Sequence, residues 1–186
     1  METRRGILKK TLGGAALLAA AGAVPLALRR TALREVPAGR KLAFFTPAEY
    51  SIFAAVADRV LAAPPELAGA PTPAQVEVAL KADAFLAGLP AHDAKEFKQL
   101  LALFDNALFS LVMGGAPTPF TQKEPEQQDA QLRDWSRSRL AVRRSGYQAL
   151  KRLIGSVYYG SPATYASVGY PGPPDVSAVK AALDRR

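Results

Sequence analysis

Apolar residues recur at helical spacing in four stretches of this chain, and each stretch has its own start and stop signals. Thr46-Pro47-Ala48-Glu49 predicts a helix start: a threonine cap, proline at the first helical position, and glutamate three residues after the cap. Tyr50, Phe53, Val56, Ala57, Val60 and Leu61 then share one face, and the helix is expected to stop at Ala63, before Pro64-Pro65. Thr72-Pro73 repeats the device and predicts a second helix. Its stripe is Val78, Ala82, Phe85 and Leu89, with Glu77 and Lys81 paired at i, i+4 on the surface, and Gly88 and Pro90 close it. His92-Asp93 predicts the third start, with Asp93 as cap or first-turn acid. Phe97, Leu100, Leu101, Phe104, Leu108, Leu111 and Val112 make a strong amphipathic stripe that Leu103 and Phe109 broaden, which predicts a central position, ended by Gly114-Gly115.

The fourth and longest helix is expected from about Glu126 to Tyr159. Its seam is Leu132, Trp135, Val142, Gly146, Ala149, Leu150, Leu153, Ile154 and Val157, and Gly146 or Gly155 is where it would bend or break. Arg139 falls on this seam: the seam twists away there, the guanidinium meets a buried acid, or it reaches across an interface. Gly160 is a fitting stop, Ser161-Pro162 opens a short turn or helix, and residues 168–175 (VGYPGPPD) read as a rigid turn before a short helical tail from Asp175. No period-2 strand pattern and no internal repeat stands out. The fold class is all-α, a single helical domain of four to five helices with an irregular arm and a C-terminal Pro/Gly-rich turn. Phe44-Phe45 are expected to dock the arm. The division is 1–30 signal, 31–45 extended arm, 46–186 helical domain.

The signal assignment rests on the first residues. Thr3-Arg4-Arg5-Gly6-Ile7-Leu8-Lys9 resembles the twin-arginine export pattern S/T-R-R-x-F-L-K, with Ile7 where Phe is favoured. An apolar run to Leu28 follows. It is slightly short of the roughly 20 residues that cross a bilayer core, and rich in Ala and Gly, so it inserts weakly. The competing readings are an ordinary secretory segment and a membrane anchor. Cleavage is expected although no clean A-x-A site follows Pro25; an uncleaved N-terminal anchor is the alternative.

Composition changes the picture in two ways. The net charge of +8 suggests a nucleic-acid binder, but residues 1–30 hold six basic residues and one acid. Without them 18 basic and 15 acidic residues remain, a net of +3, so the basicity belongs mostly to the signal. The chain also has no cysteine, one histidine (His92) and two methionines (Met1, Met113). That excludes disulfides, c-type haem attachment, cysteine-ligated iron–sulfur clusters and a thiol nucleophile, and leaves too few histidines for a histidine-held metal.

The search for chemistry finds no enzyme site. His92 reads as an exposed turn residue, there is no G-x-S-x-G elbow, no G-x-G-x-x-G after a strand and no Walker A loop. The acids Asp83, Asp93, Asp105, Asp129 and Asp134 are scattered and form no calcium-loop pattern. The stripe Arg133, Arg137, Arg144 and Lys151 reads as a solvated face, with Asp129 and Asp134 as local partners, or as a docking face for an acidic partner. Tyr158, Tyr159, Tyr165 and Tyr170 crowd near the C-terminus. They suit either an interface or a lid on the core. Catalytic, cofactor-binding and metal residues are therefore none. The expected functional residues are the signal (Thr3, Arg4, Arg5, Ile7, Leu8, Lys9) and a partner contact at Arg139, Tyr158, Tyr159, Tyr165 and Tyr170.

F-F-T-P-A-E-Y (44–50), the helix ending in A-A-P-P (62–65), the tryptophan-bearing segment 135–147, Y-Y-G-S-P (158–162) and V-G-Y-P-G-P-P (168–174) together resemble the gluconate 2-dehydrogenase subunit 3 family. The likeness covers most of residues 44–175. It implies the non-catalytic small subunit of a membrane-associated bacterial FAD-dependent sugar, sugar-acid or alcohol dehydrogenase. In such complexes the FAD sits in a large flavoprotein subunit, and a multihaem cytochrome c subunit often passes electrons on; this chain would bind no cofactor itself. The resemblance further implies help in folding the flavoprotein and its export through the twin-arginine translocase. The chain is then expected in the periplasm, held at the inner membrane through its complex or by an uncleaved anchor. A free-standing exported enzyme and a periplasmic binding module are the alternatives.

Overall fold

A computed structural model describes residues 30–62 and 69–173. The export signal, the Pro64-Pro65 stop and the tail from Asp175 lie outside them. The described residues are all-α, with no strand among them: α1 (Pro47–Val60), α2 (Val78–Leu86), α3 (Ala91–Phe104), α4 (Ala107–Val112), α5 (Pro125–Arg137), α6 (Ala141–Tyr159) and the single turn α7 (Pro162–Tyr165). Short 3-10 turns occupy Phe120–Gln122 and Ala166–Val168. No described helix is long and apolar enough to cross a membrane.

α1, not α3, is the central helix. The capping box forms as its sequence dictates: the Thr46 N–H donates to Glu49 Oε2 at 2.8 Å and the Glu49 N–H donates to Thr46 Oγ1 at 3.3 Å. Small residues let neighbours close in from every side, so Ser51, Ile52, Phe53, Ala55, Val56 and Ala57 are all buried. The helix contacts α2, α3, α5, α6 and the Phe120–Gln122 turn. It ends at Val60, three residues before the expected stop.

Two expected long helices are each divided. The third stops at Phe104, where Asp105 leaves the helical region (φ −90°, ψ 0°) and Asn106 caps α4 by accepting the Phe109 N–H at 2.8 Å. The fourth breaks at Ser138 (ψ 145°), not at Gly146 or Gly155, and those glycines are helical. Arg139 therefore sits exposed in a three-residue link, off any seam. The buried arginine is Arg143. Val142, expected in the core, is exposed.

The second helix also starts later than Thr72-Pro73 suggests. Thr72 and Gln75 cap one turn reciprocally. Glu77 then takes a left-handed conformation (φ 57°), uncommon for a non-glycine, and α2 begins at Val78. Arg40 holds Glu77 there, donating to its two carboxylate oxygens at 2.5 and 2.7 Å, so the expected Glu77–Lys81 pair does not form. Lys81 donates to Ser161 Oγ instead. Phe85 is 63% exposed, and Leu86 takes its place in the core.

The reason is Asp83, which must face inward. Its carboxylate is buried and accepts the backbone N–H groups of Ala43 (2.7 Å), Phe44 (3.0 Å) and Phe45 (2.6 Å). This clamp seats Phe45 against Phe53, ring centroids 5.4 Å apart. The arm is thus irregular yet pinned along its length. Thr31 Oγ1 donates to Asp105 Oδ2 at 2.7 Å, and the Arg34 N–H donates to Ser51 Oγ at 2.8 Å.

Asp129 partners Arg59 across α1 and α5, not the neighbouring Arg133. Nε donates to Oδ1 at 2.8 Å and Nη2 to Oδ2 at 2.6 Å, a bidentate fork. The Arg59 hydrogen bond holds the Asp129 carboxyl below its ordinary 3.8. The unfolded chain then binds the proton more readily, so this pair stabilises above the ordinary carboxylate value and the effect is lost as pH falls through the depressed one. Asp129 is a third exposed, which limits the gain. Arg59→Met is expected to cost about 1 kcal/mol in urea unfolding at neutral pH, with a smaller difference from wild type at acidic pH.

Candidate functional site

The strong apolar stripe of the third expected helix is only half used by the fold. In α3, Leu101 and Phe104 are fully buried, but Phe97, Leu100 and Leu103 are only partly covered. These three face an open groove between α3 and α6, floored from the other side by Val142, Gly146 and Ala149. Its volume is about 620 Å³. Asp93 and Glu96 stand at its rim.

Gly146 leaves room here for the Leu100 side chain and the Trp135 ring against α6. A Cβ on it would lie 2.5 Å from Leu100 Cδ1, the free end of a partly exposed side chain that would have to swing aside, and 3.1 Å from Cζ3 of the buried Trp135. Trp135 is 2% exposed and stacks edge-on against Phe104 at 4.6 Å. The groove is therefore a preformed concave surface on rigid helices, the kind that takes apolar side chains of a partner.

The C-terminal corner is the second feature. Tyr158 is buried, and its hydroxyl donates to Pro71 O at 2.6 Å, closing the loop before α2 over the end of α6. Tyr159 stands beside it edge-on at 5.1 Å and is 52% exposed. Tyr165 and Tyr170 form a second edge-on pair at 4.9 Å. Gly169 (φ 68°) makes the turn between them, where a side chain would be strained. Thr164 Oγ1 donates to Tyr158 O and Ser161 O and ties the corner to α6. So Tyr158 lids this chain's own core, and Tyr159 and Tyr170 present rings to solvent.

The expected contact residues do not form one patch. Arg139 precedes α6, whereas Tyr158 and Tyr159 end it and Tyr165 and Tyr170 follow, so the length of α6, about 28 Å, separates Arg139 from the tyrosines. Arg133, Arg137, Arg144 and Lys151 are exposed. Arg144 is occupied locally, donating from Nη1 to Ser138 O (2.6 Å) and Arg139 O (2.9 Å).

The acids have structural partners. Asp83 and Asp105 hold the arm, Asp129 meets Arg59, and Asp134 meets Arg143. Burial pushes the Asp105 carboxyl above its ordinary value against the pull of Thr121, Thr31 and Lys123. His92 is exposed in the first turn of α3, 3.5 Å from Asp93 and 3.6 Å from Glu96. No group of three or more His, Asp or Glu residues able to hold a metal occurs among the described residues.

The groove escaped the sequence reading, although a signal was present. Phe97 and Leu103 widen the α3 stripe beyond what one neighbouring helix can cover, a breadth that suggests a central helix and instead leaves an apolar face partly open.

Comparison with curated proteins and with solved structures gives no match. Residues 47–172 match the profile of one family, described as gluconate 2-dehydrogenase subunit 3. That span runs from the first residue of α1 past the tyrosine corner and takes in both sides of the groove. The chain belongs to the gluconate 2-dehydrogenase subunit 3 family, and is a small subunit of a dehydrogenase complex.

Proposed function

We propose that this chain is the non-catalytic subunit that grips a flavin-carrying dehydrogenase subunit and brings it through the twin-arginine translocase to the periplasm. The observation that carries the grip is the half-covered apolar face of α3. Phe97, Leu100 and Leu103 are apolar, partly exposed and held on a rigid floor, and a dehydrogenase subunit laid along the groove would finish burying them. A permanent interface of this kind buries more than roughly 2,000 Å², so the exposed rings of Tyr159 and Tyr170 are natural extensions of it.

The escort role is supported by the twin arginines at residues 4 and 5 ahead of a domain whose acids serve its own fold. Flavin is inserted in the cytoplasm, so the loaded partner must cross the membrane folded, and one signal serves two tightly bound chains. In this reading the FAD belongs to the large subunit, a multihaem cytochrome c subunit takes the electrons, and the complex sits at the periplasmic face of the inner membrane.

Replacing Arg4 and Arg5 together by lysine is the test. The expected result is that both this chain and the dehydrogenase subunit accumulate in the cytoplasm, with periplasmic dehydrogenase activity reduced at least tenfold. Undiminished export of the dehydrogenase subunit would show that it does not share this signal.

A further inference from the structure

Lys123 and Arg143 are cations buried in the same wall of the molecule, and one cavity of about 250 Å³ is lined by both. The end of α4, the 114–116 turn, α5 and the first turn of α6 enclose it.

Lys123 is 7% exposed. Its ammonium donates to Ser110 Oγ (2.9 Å) and Gln131 Oε1 (2.5 Å), which leaves one of its three protons unused. No carboxylate of the described residues pairs with it. Burial pushes it below its ordinary value, opposed by Asp105.

The Arg143 side chain is 7% exposed, and its guanidinium lies over the Trp135 ring at 5.5 Å. Nη2 donates to Asp134 and Nη1 reaches Ser138 Oγ at 3.4 Å, while the Nε–H, itself closed off from the cavity, has no acceptor among the described residues. The guanidinium is thus paired with Asp134 on one side and stacked over Trp135, and it lines the cavity beside the Lys123 ammonium.

We infer that this cavity binds a carboxylate on a short apolar body, held between Lys123 and Arg143. The lining holds two positive charges and one acid, Asp134, and Asp105 acts on Lys123 from outside it, so the cavity has room for at most a single negative charge and disfavours a dianion. Phe109, Met113 and the Trp135 ring supply the apolar wall. The carboxylate has two sources: a free monocarboxylic acid, or a Glu or Asp side chain of the dehydrogenase subunit. The second source rests on the proposed function and the first does not.

Trp135 is the chain's one tryptophan, so its emission reports the site. Propionate is titrated into the purified full chain against sodium chloride of equal ionic strength. A saturable change in emission, weakened at least tenfold in both Lys123→Met and Arg143→Met, supports the free acid. Lys123→Met also removes the hydrogen bonds to Ser110 and Gln131, so the Tm of both variants is measured alongside, and Lys123→Arg, which keeps the charge, should keep the response where Lys123→Met loses it. If propionate gives no response, the variants are compared for binding to the dehydrogenase subunit, and a tenfold or greater loss in both supports the protein carboxylate. A propionate response that persists in both variants overturns the inference. So does the absence of any response together with binding that neither variant weakens. A dehydrogenase subunit that fails to bind even the wild-type chain contradicts the proposed function, and leaves the propionate result to decide the cavity.

Discussion

Asp83→Ala is expected to lower the unfolding free energy by about 4 kcal/mol, which is a large share of the total for a domain of this size. The carboxylate is buried and accepts three successive backbone N–H groups of the arm at 2.6 to 3.0 Å. Each such charge-assisted bond contributes roughly 1.5 to 3 kcal/mol when made, and the deletion leaves three amides without an acceptor beside a buried phenylalanine. The arm should peel away from Ala43 through Phe45. Arg40 and Lys41, already exposed, then become fast trypsin sites. Asp83→Asn keeps one acceptor oxygen and should retain part of the stability. Guanidinium unfolding with a trypsin time course reads both effects. A loss below about 1 kcal/mol would mean that the Phe45–Phe53 contact, not the carboxylate, holds the arm.

Val142→Asp combined with Ala149→Glu should separate folding from assembly. Both positions are exposed in the free chain and floor the groove. Val142 is the second residue of α6, where an acid is favoured by the helix dipole, so Tm should hold or rise slightly. In a complex the same carboxylates would be buried against apolar surface without partners, which is strongly unfavourable. Binding of the dehydrogenase subunit is expected to weaken at least a hundredfold, about 2.7 kcal/mol. Unchanged affinity in pull-down titration would move the interface away from this groove.

What was legible in the sequence was whatever is decided within one helical turn. Thr46-Pro47-Ala48-Glu49 specifies its own cap, and Gly160 and Ser161-Pro162 mark the end of α6 and the start of α7 as written. The breaks at Asp105 and Ser138 were hidden because apolar spacing continues across them. Asn106 caps α4 in the middle of an unbroken stripe, and Ser138 turns the chain with neither proline nor glycine.

Long-range polar anchoring was not legible at all. Glu77 is held by Arg40, Asp83 by amides about forty residues earlier, and Asp105 by Thr31. That anchoring decided the facing of α2, exposing Phe85 and burying Leu86. The all-α class and the family were readable because both rest on local patterns. The groove needed the packed helices, since only they show which half of the α3 stripe remains open.

The most direct test of the account co-expresses the dehydrogenase's flavin subunit with and without this chain and follows protein-bound flavin in the periplasm. With the chain present, the flavin-loaded dehydrogenase and the chain should elute together from a sizing column, and without it little flavoprotein should reach the periplasm. A fully flavinated, active dehydrogenase in the periplasm of cells lacking the chain would contradict the account.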